Sequence, residues 1–139
     1  MKVITLHQPY ASAIALGLKH CETRGWKTSY RGPLAIHASK SMPKQAKEFA
    51  RTEVAMGRIP GRLPLGCIVC IATLIDVLPA VEVGLQVDYI ERLYGDYALG
   101  RWAWKLESVR RLVSPIFARG KQGLWNWPDD ATPFEFEAD

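Results

Sequence analysis

The segment from Leu6 to Lys40, LHQPYASAIALGLKHCETRGWKTSYRGPLAIHASK, changes its apolar period more than once, so neither one helix nor one long strand can hold it. Lys2 to Leu6 reads as a first strand that ends where Pro9 can occupy the first turn of a helix. Tyr10, Ala13, Ile14 and Leu18 recur at helical spacing, and Gly17 supplies a left-handed stop. Glu22, Arg24 and Trp26 then alternate with Cys21, Thr23 and Gly25, the period of a strand with one polar face. After a turn at Arg31, Gly32 and Pro33, Leu34, Ile36 and Ala38 alternate with Ala35, His37 and Ser39. A chain that turns this often builds its core from short strands with helices in the connections.

The same reading extends downstream. Ser41 and Pro43 look like the cap and first turn of a second helix, with Ala46, Phe49, Ala50 and Val54 as its buried face. Arg58 to Gly66 holds two prolines and two glycines and is expected to be a loop. Cys67 to Val77 is the longest predicted strand, Asp88 to Tyr94 a short helix, and Arg101 to Glu107 a strand with Trp102, Trp104 and Leu106 turned inward. Leu112 to Phe117 reads as a separate, final strand, followed by the turn Gly120 to Gly123 and by Leu124, Trp125 and Trp127. The pattern predicts an α+β domain around a curled sheet or small barrel. At 139 residues the chain suits one core, with residues 1–127 as the domain and 128–139 as an acidic tail.

Charge is divided along the chain. Residues 1–66 carry 11 Lys and Arg against 3 acids, whereas residues 67–139 carry 7 against 11, giving halves of +8 and −4. Asp129, Asp130, Glu135, Glu137 and Asp139 account for the acidic end. Such asymmetry suits a basic surface facing a polyanion, with the acidic tail either elsewhere or competing for it. Cys67 and Cys70 form a lone CxxC, but CIVCIATLIDV reads as a buried strand in which residues three apart face opposite sides, so no metal site is expected. Three free thiols suit a reducing compartment. The apolar run Val3 to Leu6 is broken at once by polar residues and Ala11 to Leu18 is too short for a membrane span, so a cytoplasmic protein without a membrane partner is expected.

HQPYASAIALGLKHCETRGW, YRGPLAIHASK, LPLGCIVCIATLIDV and GRWAW together resemble the ASCH domain family, and the resemblance runs down to about Trp125. It implies a PUA-like fold, a small β-barrel with flanking short helices beside a basic cleft. It also implies an RNA- or DNA-binding function, or, as in some bacterial relatives, metal-independent hydrolysis of acetylated cytidine or of RNA without a cofactor. The deacetylating relatives use a Lys, a Thr three positions on, an Arg two positions after that, and a Glu from a later strand. On GLKHCETR, Lys19 matches the lysine and Arg24 the arginine, while Glu22 stands where the threonine nucleophile would be.

The residues themselves narrow the chemistry. A lysine serves as a base only when burial or a like charge favours its neutral form, and a neighbouring Glu22 acts in the other direction. Lys19 and Glu22 are therefore the candidate catalytic pair only if Glu22 activates water. As a binding module, Lys19, Arg24, Trp26, Ser39 and Lys40 are the candidate ligand contacts, with Lys19 holding a phosphate or carbonyl oxygen and Trp26 stacking on a base. Thr23 is expected to face away from Glu22, Asp76 to pair Lys19 or Arg24, His37 to be structural, and Lys121 to sit at the rim. His7 and Gln8 fit a cleft wall or a helix start equally well. The expected partner is RNA, another single-stranded nucleic acid, or a nucleoside-like small molecule, and a protein-interaction domain with a vestigial cleft would carry the same barrel.

Overall fold

The computed structural model describes residues 1–128, 131 and 133–139. Its elements run β1 (Lys2–Leu6), α1 (Tyr10–Ala15), β2 (Cys21–Arg24), β3 (Gly32–Ala38), α2 (Lys44–Ala55), β4 (Cys67–Pro79), α3 (Ala80–Gly84), α4 (Tyr89–Leu93), β5 (Trp102–Phe117) and β6 (Leu124–Asn126). The strands form one six-stranded sheet in the order β2-β5-β4-β3-β1-β6, with β1 and β3 parallel and the other neighbours antiparallel. The sheet curls into a half-barrel with a few short helices, the α+β architecture expected.

Bulges supply the curl. Pairing of β4 with β5 shifts register three times, between Ile68 and Cys70, Ile71 and Thr73, and Leu74 and Asp76, and each extra residue bends and twists the ladder. One shift falls at Ser108, whose φ of 52° is unusual for a residue with a side chain. There the alternation breaks in the sequence, so what read as two strands is one strand kinked in its middle. Another shift changes the geometry of Cys67 and Cys70. Both thiols are fully buried in the same apolar cluster instead of facing opposite sides, because the irregularity beyond Ile68 interrupts the alternation.

Each face of the sheet has its own core. On one, Ile4, Leu6, Leu34, Ile36, Leu74, Trp104 and Leu106 pack beneath Ala11 and Ile14 of α1. On the other, Val3, Ala35, Ile68, Leu112 and Trp125 meet Phe134 and Phe136 from the C-terminal segment. Asp129 and Asp130, part of the expected acidic tail, lie outside the described residues.

Gln8 resolves toward the helix start. Fully buried, it accepts from the Ser12 amide at 2.9 Å and donates to Ser12 Oγ at 2.7 Å and to the Pro64 carbonyl at 2.8 Å, tying α1 to the loop before β4. The second helix differs from expectation at both ends. Ser41 does not cap it, since Pro43 takes the N-cap position without a side-chain bond. Its inner face is Ala46, Ala50 and Glu53, while Val54 is exposed. A buried acid fits there because the Arg58 guanidinium donates to both carboxylate oxygens at 3.0 and 2.8 Å and the Tyr94 hydroxyl donates at 2.5 Å.

Candidate functional site

β2 forms one edge of the sheet and β1 lies near the other, so the curl brings them across an opening. Arg24 spans it: its Nη2 donates to the Thr5 carbonyl at 2.7 Å. Glu22, two residues earlier and so on the same strand face, approaches Arg24 Nε at 3.1 Å, a charge contact too poorly aligned to be a hydrogen bond. On its other oxygen Glu22 meets Lys19 Nζ at 3.4 Å. Lys19 reaches this point because Gly17, at φ 79°, turns the chain, and the Leu18 and Lys19 amides both return to the Ala13 carbonyl. The start of β2 is fixed in turn by Glu91, whose carboxylate accepts from the His20 amide at 2.8 and 2.9 Å and the Cys21 amide at 3.3 Å.

Two connected depressions surround these residues. A cleft of about 330 Å³ is lined by Tyr10, Glu22, Thr23, Tyr94, Asp96 and Arg101, among others. A groove of about 1470 Å³ opens beside it, lined by Trp26, Lys40, Leu65, Phe117, Arg119 and Lys121 among others. Thr5, His7, Arg24 and Ser39 line both, so the two are continuous. Their charges differ. The cleft balances Glu22 and Asp96 against Arg24 and Arg101, whereas the groove presents Arg24, Lys40, Arg119 and Lys121 with no carboxylate among its lining residues.

The structure brings Lys19, Glu22 and Arg24 together, but Lys19 lies beneath the cleft instead of in it. Its side chain is 1% exposed, and it donates to the Tyr94 carbonyl at 2.6 Å as well as facing Glu22. Lys19 therefore orients Glu22 from below and is not itself placed to meet a ligand. Trp26 sits at the groove, edge-on to Trp104 with ring centres 4.8 Å apart, and its carbonyl accepts from Trp104 Nε1 at 3.2 Å. It lies beyond the end of β2, so its position comes from this packing and not from strand alternation. Ser39 lines both depressions and accepts from the Ser41 amide at 3.2 Å, a turn contact and not a helix cap. Lys40 and Lys121 are exposed on the groove.

Three expectations need correction or sharpening. Thr23 faces away from Glu22, as alternation along the unbroken β2–β5 register requires, yet it still contributes to the cleft lining, where its Oγ1 accepts from the Asp96 amide at 2.9 Å. Asp76 faces Arg31 at 3.6 Å, not Lys19 or Arg24. His37 is structural: its Nδ1 is 3.2 Å from Thr5 Oγ1, and its Nε2 is 2.7 Å from the Ala118 carbonyl. Tyr10, Tyr94, Asp96, Arg101 and Arg119 were missed. Arg119 could have been found in the glycine-bracketed basic turn RGKQG, but nothing in the sequence places the Tyr94 to Asp96 loop against β2.

Residues 4–116 match the ASCH domain, and the chain belongs to that family. It is 36% identical over 81 residues to activating signal cointegrator 1 of Homo sapiens and 35% identical over the same length to the Mus musculus protein. These matches take in 54% of this chain but only 14% of the relatives' length. In three dimensions it resembles the crystal structure of ASCH from Zymomonas mobilis, with a TM-score of 0.61 and 16% identity over 93% of this chain and 88% of the other. A tyrosine-to-phenylalanine mutant of that protein superposes with a TM-score of 0.59 at 17% identity, covering 92% of this chain and 90% of the mutant's. At these identities the structural likeness speaks for the fold. No helix among the described residues is long and apolar enough to cross a membrane.

Proposed function

We propose that the chain binds single-stranded nucleic acid, RNA in the first instance, with the backbone in the groove and one unpaired base at the cleft. The supporting observation is the groove's lining of four cationic side chains without a carboxylate, continuous with a cleft of balanced charge. Phosphates favour the first environment. The second holds Glu22 and Asp96 as acceptors for the N–H groups of a base edge and Arg24 and Arg101 as donors to its carbonyls. Trp26, 38% exposed, offers an indole beside the path on which a neighbouring base can stack. Association of the family with RNA binding supports the same reading. Binding of labelled oligonucleotides should weaken as salt rises and should be lost first on replacing groove cations; a ligand that binds equally at all salt concentrations would count against it.

One observation favours a second reading, metal-independent hydrolysis of a modified nucleoside or of RNA: the Glu22 carboxylate, a potential base, belongs to a residue that lines the cleft. For Glu22 to serve as base, a proton from water would have to settle between Lys19 and Arg24, where both oxygens already face cations. Binding is the better-supported reading on that ground. Glu22→Gln separates the two. A binding module keeps its affinity for an oligonucleotide within a few fold, whereas a hydrolase using Glu22 loses about 10²-fold or more in turnover while still binding.

A further inference from the structure

The C-terminal segment joins the two sides of the sheet. From β6, paired to β1, the chain contributes Trp127, Phe134 and Phe136 to the cluster on the second face, then pairs with β5 through a bridge between Leu112 and Phe136. β5 pairs with β4 along most of its length, but β2 covers its other side only from Trp102 to Lys105. Beyond that point the edge is free of any named strand among the described residues, and the C-terminal segment takes part of it. The Val113 amide donates to the Glu135 carbonyl at 2.9 Å and the Glu137 amide to the Arg111 carbonyl at 2.8 Å. Phe134 and Phe136 alternate with Glu135 and Glu137, so aromatic rings go to the apolar face and carboxylates to the other. Arg110 lies 3.6 Å over the Phe136 ring, and Arg111 Nε is 3.2 Å from Glu137.

We infer that this half of β5, with Arg110, Arg111 and the apolar face beside Leu112, is a strand-docking site for extended acidic peptides with aromatic residues at alternate positions. In this chain its own residues 133–139 fill it, and a partner segment of the same chemistry displaces them. The edge itself falls within the residues that match the family, up to 116, whereas the segment filling it lies outside them, so site and occupant are separable. An unpaired strand edge is a template for another chain, and recognition by strand addition takes affinity from the backbone and specificity from alternate side chains. Here the specificity elements are two arginines and an apolar face. Among the described residues the contacts made in cis are few: two backbone bonds, one ion pair with both side chains about half exposed, and two partly buried rings, one of them beneath Arg110. A tethered segment competes at an effective concentration of about a millimolar, so a partner must exceed that to displace it.

The test uses the full chain and, as probe, a labelled synthetic peptide with the sequence of residues 133–139, PFEFEAD. Phe136→Ala weakens the segment in cis and should bind the peptide in trans about tenfold or more tightly than the unaltered chain. Adding Arg110→Glu and Arg111→Glu, or replacing both peptide glutamates by lysine, should abolish that binding. A folded Phe136→Ala chain that ignores the peptide at millimolar concentration, or takes the lysine peptide equally well, overturns the inference. Should Phe136→Ala not fold, Glu137→Lys replaces it with the same expected gain. Amide exchange of the unaltered chain gives an independent reading. The Val113 and Glu137 amides should exchange by local opening faster than those of β3. Exchange only with global unfolding, or trading of the segment between two copies in a dimer, would overturn it.

Discussion

Lys19 and Glu22 meet at 3.4 Å beneath the cleft, with the lysine side chain 1% exposed and the glutamate 10%. As a candidate ligand contact, Lys19 would be expected to contribute little packing and to be replaceable at little cost in stability. Burial reverses that expectation. Removing one partner of a buried pair leaves the other charge without compensation, and Lys19 also holds the Tyr94 carbonyl. Lys19→Met should therefore lower stability to urea by about 3 kcal/mol, since Arg24 still faces Glu22. A loss well under about 1 kcal/mol would mean that the pair is open to solvent in solution.

Gly120 lies against the His37 ring. A Cβ built on it would come within 2.9 Å of His37 Cε1 and 3.2 Å of Thr5 Cγ2. The ring cannot yield easily, because Thr5 and the Ala118 carbonyl engage its two nitrogens. Gly120→Ala should displace the groove loop carrying Arg119 and Lys121, costing about 1–3 kcal/mol and weakening oligonucleotide binding. Calorimetry and a binding titration on the same variant check both effects.

Stability should fall on the alkaline side. Burial pushes the Cys70 thiol from its ordinary 9.0 up to about 12, and burial followed by the bond to Glu53 pushes the Tyr94 phenol upward from 10.0. The unfolded chain releases these protons first, so it binds fewer than the native state and is favoured as pH rises. The contribution is complete below about pH 8 and is lost above pH 9 for the thiol and above pH 10 for the phenol, by about 1.4 kcal/mol per pH unit for each group. Denaturant midpoints from pH 8 to 11 should drop accordingly, and Cys70→Ala should remove the thiol's share.

What the sequence reveals and what it hides divide along contact range. Lys2 to Leu6, the Gly17 stop and the loop before Cys67 were readable because period, glycine and proline act locally. The meeting of Glu22 with Arg24 followed from strand alternation alone. Lys19 meets Glu22 after the Gly17 turn, but its burial depends on Tyr94, 75 residues away. The buried Glu53 was invisible for the same reason: its tolerance depends on Arg58 and Tyr94, and without them the helix pattern points to Val54. The continuity of β5 was hidden by the bulge at Ser108, which interrupts alternation without ending the strand.

The most direct test of the binding account is the salt dependence of single-stranded RNA affinity, measured for the unaltered chain and for Lys40→Met with Lys121→Met. Both lysines are exposed on the groove, so their loss removes charge and little packing, apart from a marginal contact of Lys121 with the Trp125 ring, and the variant should remain folded. Single-stranded contacts contribute about −0.7 to the slope of log K against log salt for each phosphate neutralised. The account predicts a steep negative slope for the unaltered chain and a slope shallower by about 1.4 for the variant, across unrelated sequences. A slope near zero, or one that the double variant leaves unchanged, would contradict it.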